Sequence, residues 1–280
     1  MSEARDFPTT TREGFEACLT LARDVTTALE RLFEIVDGRH LTKPPIWRYH
    51  SLIAAFMARA HALLGALHVL CERGWASAAQ PLLRSLFELV VSAVYMDQGD
   101  HAQLADRFVD YGVVPEFKFA EGLRDTDVGR KMLATSRGQS KVTAVARKRD
   151  AYRCKYGARD ATWYGTDLCS LARQLGDEWV KLYCALYRPT SQYAHGNVRS
   201  LVQYVRHPDG GSEGESPRIL YGPAAEGTEE TLLPAIHLIF HLVNVWSKEV
   251  ELESEADAAL EPLIGRHTRL WEQWQRTAGP

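Results

Sequence analysis

The sequence predicts an all-α fold, a multi-helix bundle with a small β-hairpin insertion near residues 198–221. Three observations carry that expectation. Apolar residues recur every three or four positions over long stretches, and glycine, proline and aspartate punctuate those stretches. Only one region, towards the last third, has the β-branched composition of strands. With 45% hydrophobic and 25% charged residues over 280 positions, the chain has the make-up of a globular protein able to bury a sizeable core.

The first helix is expected from Arg12 to Val36, with Phe15, Leu19, Val25, Leu29, Leu32, Phe33 and Val36 on its inner side. Asp37-Gly38 ends it, and Pro44-Pro45 holds the next residues extended. A second helix runs from Trp47 to Arg73 and stops at Gly74. The third begins near Ser77 as its cap and carries Pro81 in its first turn or so, where a missing N–H costs least. It continues through Leu82, Leu86, Phe87, Val90 and Tyr95 to Gly99, and Asp100 caps a fourth helix over His101–Phe119. From Arg124 to Arg159 the chain changes character. Eleven basic residues face only Asp125, Asp127 and Asp150, so this partly helical, solvent-facing segment is +8 in a chain totalling −3.

Beyond it, Thr166 opens a helix to Leu175, and Asp177 opens another through Leu182 and Tyr187 towards His195. Val198–Val205 and Arg218–Tyr221 read as the two arms of the hairpin, joined across Pro208-Asp209-Gly210-Gly211. Helices over Glu229–Glu251 and Glu255–Thr277 close the chain. With no internal repeat and no clear linker, one helical domain is expected. Residues 1–46 form its N-terminal helix and extended connection, 47–252 the core bundle with the basic segment 124–159, and 253–280 the C-terminal helix.

Five scattered cysteines, none in a C-x-x-C pair, argue against a closed zinc site. The N-terminus has no signal-peptide core, and no uninterrupted apolar run is long enough to span a bilayer. The expectation is a cytoplasmic protein with no membrane partner.

Candidate chemistry concentrates in two places. In Leu83-Arg84-Ser85-Leu86-Phe87-Glu88-Leu89, Arg84 and Glu88 lie four apart on one helix face and can pair. Their apolar flanks put that face at least half inside the protein, where an unpaired charge is costly. The bland interpretation is a structural ion pair. In Tyr187-Arg188-Pro189-Thr190-Ser191-Gln192-Tyr193-Ala194-His195-Gly196, Ser191 and His195 are also four apart. His195 can exchange a proton near neutral pH, or simply cap a helix end.

These two segments resemble a bacterial helical family of unknown function, numbered 5677. Its pattern is an R-x-x-x-E helix followed later by S-x-x-x-H-G, and the likeness runs over roughly Ala55–Trp246. It implies an α-helical fold that gathers Arg84, Glu88, Ser191 and His195, and it implies no established reaction. Arg188 and His195, separated by six residues, also resemble the R-x(4–6)-H signature of HEPN ribonucleases. That resemblance implies a homodimeric, metal-independent endoribonuclease that needs no cofactor, in a toxin or phage-defence setting; the basic segment 124–159 could instead bind an acidic antitoxin or sensor protein. Arg188 would bind the scissile phosphate and His195 would handle the proton. Pro189 departs from the pattern, because HEPN enzymes usually carry a polar residue directly after the arginine.

The basic segment would suit RNA. Arg147, Lys148, Arg149, Arg153 and Lys155 could neutralise phosphates, and Tyr152, Tyr156, Trp163 and Tyr164 could stack on bases. The bland interpretation is a solvated helix face. A non-catalytic binding module, held by an Arg84–Glu88 and Ser191–His195 network, is the main alternative. A third is a metal-binding helical-bundle oxidase. His237 and His241 sit four apart, and His61 and His68 seven apart, and they could join Glu88 or Glu249, although no paired Glu-x-x-His motif is present. No phosphate-binding loop and no G-x-S-x-G elbow occurs, which excludes an α/β-hydrolase.

Overall fold

The apolar periodicity becomes helix almost throughout the residues that the structure, a computed structural model, describes: 12–37, 47–157, 162–194, 205–206, 218–219 and 226–278. In chain order these are α1 (Arg12–Asp37), α2 (Trp47–Glu72), α3 (Ala76–Asp97), α4 (His101–Tyr111), α5 (Val113–Leu123), α6 (Asp127–Leu133), α7 (Ser136–Tyr156), α8 (Leu168–Leu175) and α9 (Asp177–Leu182). A π-helical turn, Tyr183–Tyr187, leads into α10 (Arg188–Ala194), and α11 (Thr228–Glu249) and α12 (Glu253–Ala278) follow. Between α10 and α11, β1 (Val205–Arg206) and β2 (Arg218–Ile219) pair antiparallel, Val205 opposite Ile219 and Arg206 opposite Arg218. This two-residue pairing falls within the stretch 198–221 where a hairpin is expected but is too short to support that insertion, and the other residues of the stretch lie outside the described residues. Two residues a side build no sheet layer, so the fold is all-α.

The described helices gather into two compact units, one from residues before 96 and after 177, the other from Met96–Asp177. In the first, α11 packs against α1, α2 and α12, and α1 packs against α2 and α12. The reason is legible in α11 itself. Leu232, Leu233, Ile236, Leu238, Ile239, Leu242, Val243, Val245 and Trp246 are all buried, and a helix apolar on nearly every side belongs in the centre. Leu21, Leu29 and Leu32 of α1 and Ile53, Leu64 and Leu67 of α2 close around it. Each contributes about 1.5–3 kcal/mol by leaving water. Gln80 of α3 joins this core through a buried hydrogen bond from its Nε2 to Thr231 Oγ1 (2.8 Å).

By length and composition α2 is long and apolar enough to cross a membrane, although no uninterrupted apolar run spans it. Interruption by Arg59 and three histidines hides this in a simple scan for unbroken apolar runs. Its buried residues Tyr49, Ile53, Met57, Ala60, Leu64, Leu67 and Cys71 recur every three or four positions and face α1 and α11, the stripe of a core helix.

Two boundaries differ from expectation. Ser77 lies inside α3 rather than capping it, because the Trp75 carbonyl already accepts from the Ala78 and Ala79 amides. The single helix expected over His101–Phe119 is two. Pro115 supplies no N–H to the Tyr111 carbonyl four residues back, so α4 ends there and α5 starts afresh after Gly112. Asp100 does cap α4, its Oδ1 accepting from the Gln103 amide at 3.0 Å.

The second unit holds the basic segment. Its helix starts repeat one device, Thr-x-x-Gly. Thr126 Oγ1 accepts from the Gly129 amide and Thr135 Oγ1 from the Gly138 amide, each at 3.0 Å. Both glycines sit where the preceding turn passes close by. A Cβ on Gly129 would lie 1.9 Å from the Leu123 carbonyl oxygen, and one on Gly138 would lie 2.3 Å from that of Met132.

Candidate functional site

Arg84 occupies α3 between buried Leu83, Leu86 and Phe87, so its guanidinium emerges at the edge of the core, with the side chain 23% exposed. Three of its nitrogens donate in three directions: Nε to Glu88 Oε1 (3.0 Å), Nη1 to Ser191 Oγ (3.2 Å) and Nη2 to Tyr187 Oη (2.9 Å). The same guanidinium lies over the Tyr187 ring, 4.9 Å from its centroid. Burial works against the Arg84 charge, but Glu88 and Tyr187 outweigh it and hold the pKa above the ordinary arginine value. Burial, and then the Glu88 charge, push the Tyr187 phenol upward, so it stays protonated at neutral pH.

The local sequence explains why Tyr187 and Ser191 arrive together. Pro189 has no N–H to give the Ala185 carbonyl, and the Arg188 amide reaches back five residues to the Tyr183 carbonyl instead. The resulting π turn shifts the helix phase. Tyr183 and Tyr187 then stack (5.3 Å between centroids, 21° between planes), and Tyr187 leans on Phe87 at 5.6 Å. Such turns recur at functional positions. Buried Thr190 fastens the start of α10 by donating to the Leu186 carbonyl at 2.7 Å. Pro189, a departure from the HEPN pattern, is thus what builds the turn.

Of the residues singled out by sequence, Arg84, Glu88 and Ser191 meet. Arg188, on the first position of α10, is exposed and makes no ion pair with a described residue. His195 lies outside the described residues. Tyr187 escaped the sequence reading. Its only signal was a tyrosine four residues after another tyrosine and directly before Arg188-Pro189.

The basic segment divides. Arg147, Lys148 and Arg153 of α7 are exposed. Arg149 instead folds onto Phe117, 4.0 Å from the ring centroid, with its side chain only 16% exposed. Lys155 Nζ donates to Asp110 Oδ2 at 2.9 Å, and Tyr156 Oη donates to the same oxygen at 2.8 Å. Tyr152 is buried against Tyr111 and Tyr156, and Trp163 is buried against Phe108. Those two rings are core, which corrects the expectation that they stack on bases.

The histidines do not assemble as an oxidase site would need. His61 faces Glu30 at 3.7 Å and the edge of Phe33, and Glu249 pairs with His50 at 2.5 Å. Glu88 is held by Arg84. His237 and His241 of α11 instead meet Glu178 of α9, on which both Nε2 atoms converge. Burial, followed by the neighbouring His241 and His267, pushes His237 down to about 4.

An all-α protein with an arginine-held π turn in its larger unit is the class that fold and site define. The chain belongs to the family of unknown function DUF5677, which matches residues 50–212 and so takes in Arg84, Glu88, Tyr187, Arg188, Ser191 and His195. No curated protein and no solved structure matches the chain.

Proposed function

We propose that the protein is a HEPN-like, metal-independent endoribonuclease acting through Arg188 and His195 as a homodimer. The observation that carries this reading is the placement of Arg188. It is an exposed arginine without a described acidic partner, on the residue directly after a π turn that Arg84 grips through Tyr187 and Ser191. A guanidinium presented from a fixed turn suits a phosphate, whose paired oxygens it can bind in a fork. His195 would accept the 2′-hydroxyl proton as O2′ attacks phosphorus. The P–O5′ bond then breaks, the leaving oxygen takes a proton from water, and a 2′,3′-cyclic phosphate and a 5′-hydroxyl remain. In this reading Arg84, Glu88 and Ser191 are positioning residues, since the guanidinium of Arg84 is committed within the protein. Exposed Arg147, Lys148 and Arg153 of α7 would contact the RNA backbone.

The second reading is a non-catalytic binding module, and the same grip favours it, because three hydrogen bonds and a ring contact also make a good structural clasp. Induced expression separates the two. Wild-type chain is expected to slow growth and fragment total RNA, while Arg188→Ala and His195→Ala, at equal soluble levels, do neither. Equal growth and intact RNA for all three would select the module.

A further inference from the structure

We propose that Glu178, His237 and His241 form a binding site for one zinc-type divalent ion, with a fourth coordination position open to water. This goes beyond the ribonuclease reading and uses none of its residues. The argument begins with three equal distances. His237 Nε2 lies 3.2 Å from Glu178 Oε1, His241 Nε2 lies 3.2 Å from the same oxygen, and the two Nε2 atoms are 3.2 Å apart. Four ligands at tetrahedral angles, each about 2.0–2.1 Å from zinc, are separated by about 3.3 Å. Octahedral ligands at the same bond length stand only about 2.9 Å apart. The triangle is therefore one face of a zinc tetrahedron.

Hydrogen bonding does not account for this triangle as well. Each Nε2 carries at most one proton, and an ionised carboxylate carries none. If both protons point at Glu178, the two nitrogens confront each other with no proton between them. If one nitrogen donates to the other, one edge to the carboxylate lacks a proton. One cation at the centre satisfies all three lone pairs together, two of them on imidazoles and one on a carboxylate, a ligand set zinc accepts.

The surroundings favour a held site over a chance meeting of surface groups. The two histidines are one helical turn apart on α11, and their side chains are only 28% and 25% exposed. Trp179 lies against His241 (5.0 Å between centroids), and Trp271 and His267 lie against His237 (5.6 and 5.7 Å). His267 itself is buried, with Nε2 bonded to the Leu233 carbonyl at 2.9 Å, so it orients its neighbour and supplies no ligand through that atom. Glu178 is the exposed member at 56%, so the site is open to solvent along the carboxylate. A water bound there would be acidified, as at open zinc sites.

The test uses full-length, tag-free protein stripped with chelator and titrated with Zn²⁺ against a chromophoric indicator, and with Co²⁺ by visible absorption. One ion per chain and the intense bands of tetrahedral cobalt are expected. Glu178→Gln and His241→Ala should each weaken binding at least about tenfold, while His101→Ala, a histidine of the other unit, leaves it unchanged. Circular dichroism checks the folding of His241→Ala, and Glu178→Gln, altering an exposed side chain, decides the matter if that variant unfolds. Less than stoichiometric uptake at micromolar Zn²⁺, or equal uptake by wild type and Glu178→Gln, would overturn the site. RNA cleavage assayed in chelator reports on Arg188 and His195 separately, so either reading can fail without the other.

Discussion

Replacing Arg84 with methionine removes the guanidinium while keeping an aliphatic stem of similar length beside buried Leu83 and Phe87. The half-exposed pairing with Glu88, four residues away on the same helix, is worth about 0.3–0.5 kcal/mol. The part-buried bonds to Tyr187 Oη at 2.9 Å and Ser191 Oγ at 3.2 Å add about 1 kcal/mol each at most. The ring contact adds about 0.5–1 kcal/mol. The total is about 2–3 kcal/mol, which for a chain of this size lowers Tm by about 4–10 °C. Tyr187→Phe, which keeps the ring and loses the hydroxyl, should cost about 1 kcal/mol. In urea titrations of the two single variants and the double variant, the double should fall short of additivity by about 1 kcal/mol. An Arg84→Met protein melting within a degree of wild type, or strict additivity with Tyr187→Phe, would refute the grip.

Other outcomes follow from different parts of the molecule. Gly129→Ala places a Cβ 1.9 Å from the Leu123 carbonyl oxygen and should destabilise the second unit by about 1–3 kcal/mol; an unchanged urea midpoint would contradict that packing. Exposed Cys154 and Cys184 should react with iodoacetamide in native protein, whereas Cys18 and Cys71, buried and pushed up to about 12 by that burial, should react only on unfolding. Peptide mapping by mass spectrometry reads the pattern, and early labelling of Cys71 would break it. Burial lowers the pKa of both His68 and His267, so the unfolded chain binds more protons than the native one below the ordinary histidine value of about 6.5. Their stabilisation is full above that pH and declines as pH falls beneath it. In chelator, the urea midpoint should drop between pH 8 and pH 5, and a flat profile would count against imidazoles held neutral by their partial or full burial.

The helices were legible because a core-facing stripe repeats within a few residues. Even the mistaken helix over His101–Phe119 carried its own correction in Pro115, whose missing N–H falls at Tyr111. Half of the candidate site was legible for the same reason, since Arg84 and Glu88 lie four apart on one helix. Long-range partners were not. Nothing in local spacing ties Tyr187 to Arg84, or Glu178 to His237, 59 residues downstream. The π turn is also a consequence of tertiary support, because a proline in a helix is read from sequence only as a break or kink. Tyr152 and Trp163 misled for a related reason, as an aromatic in a basic stretch has the same composition whether it meets a base or a core.

The central claim is that Arg188, on the held turn, binds an RNA phosphate and that His195 handles the proton of its ribose hydroxyl. Its most direct test is end analysis of a labelled RNA incubated with purified protein in chelator. The account predicts 2′,3′-cyclic phosphate and 5′-hydroxyl ends from wild type, and none from Arg188→Ala or His195→Ala variants that keep the wild-type Tm. RNA left intact by folded wild-type protein, or cut equally by all three proteins, would contradict it.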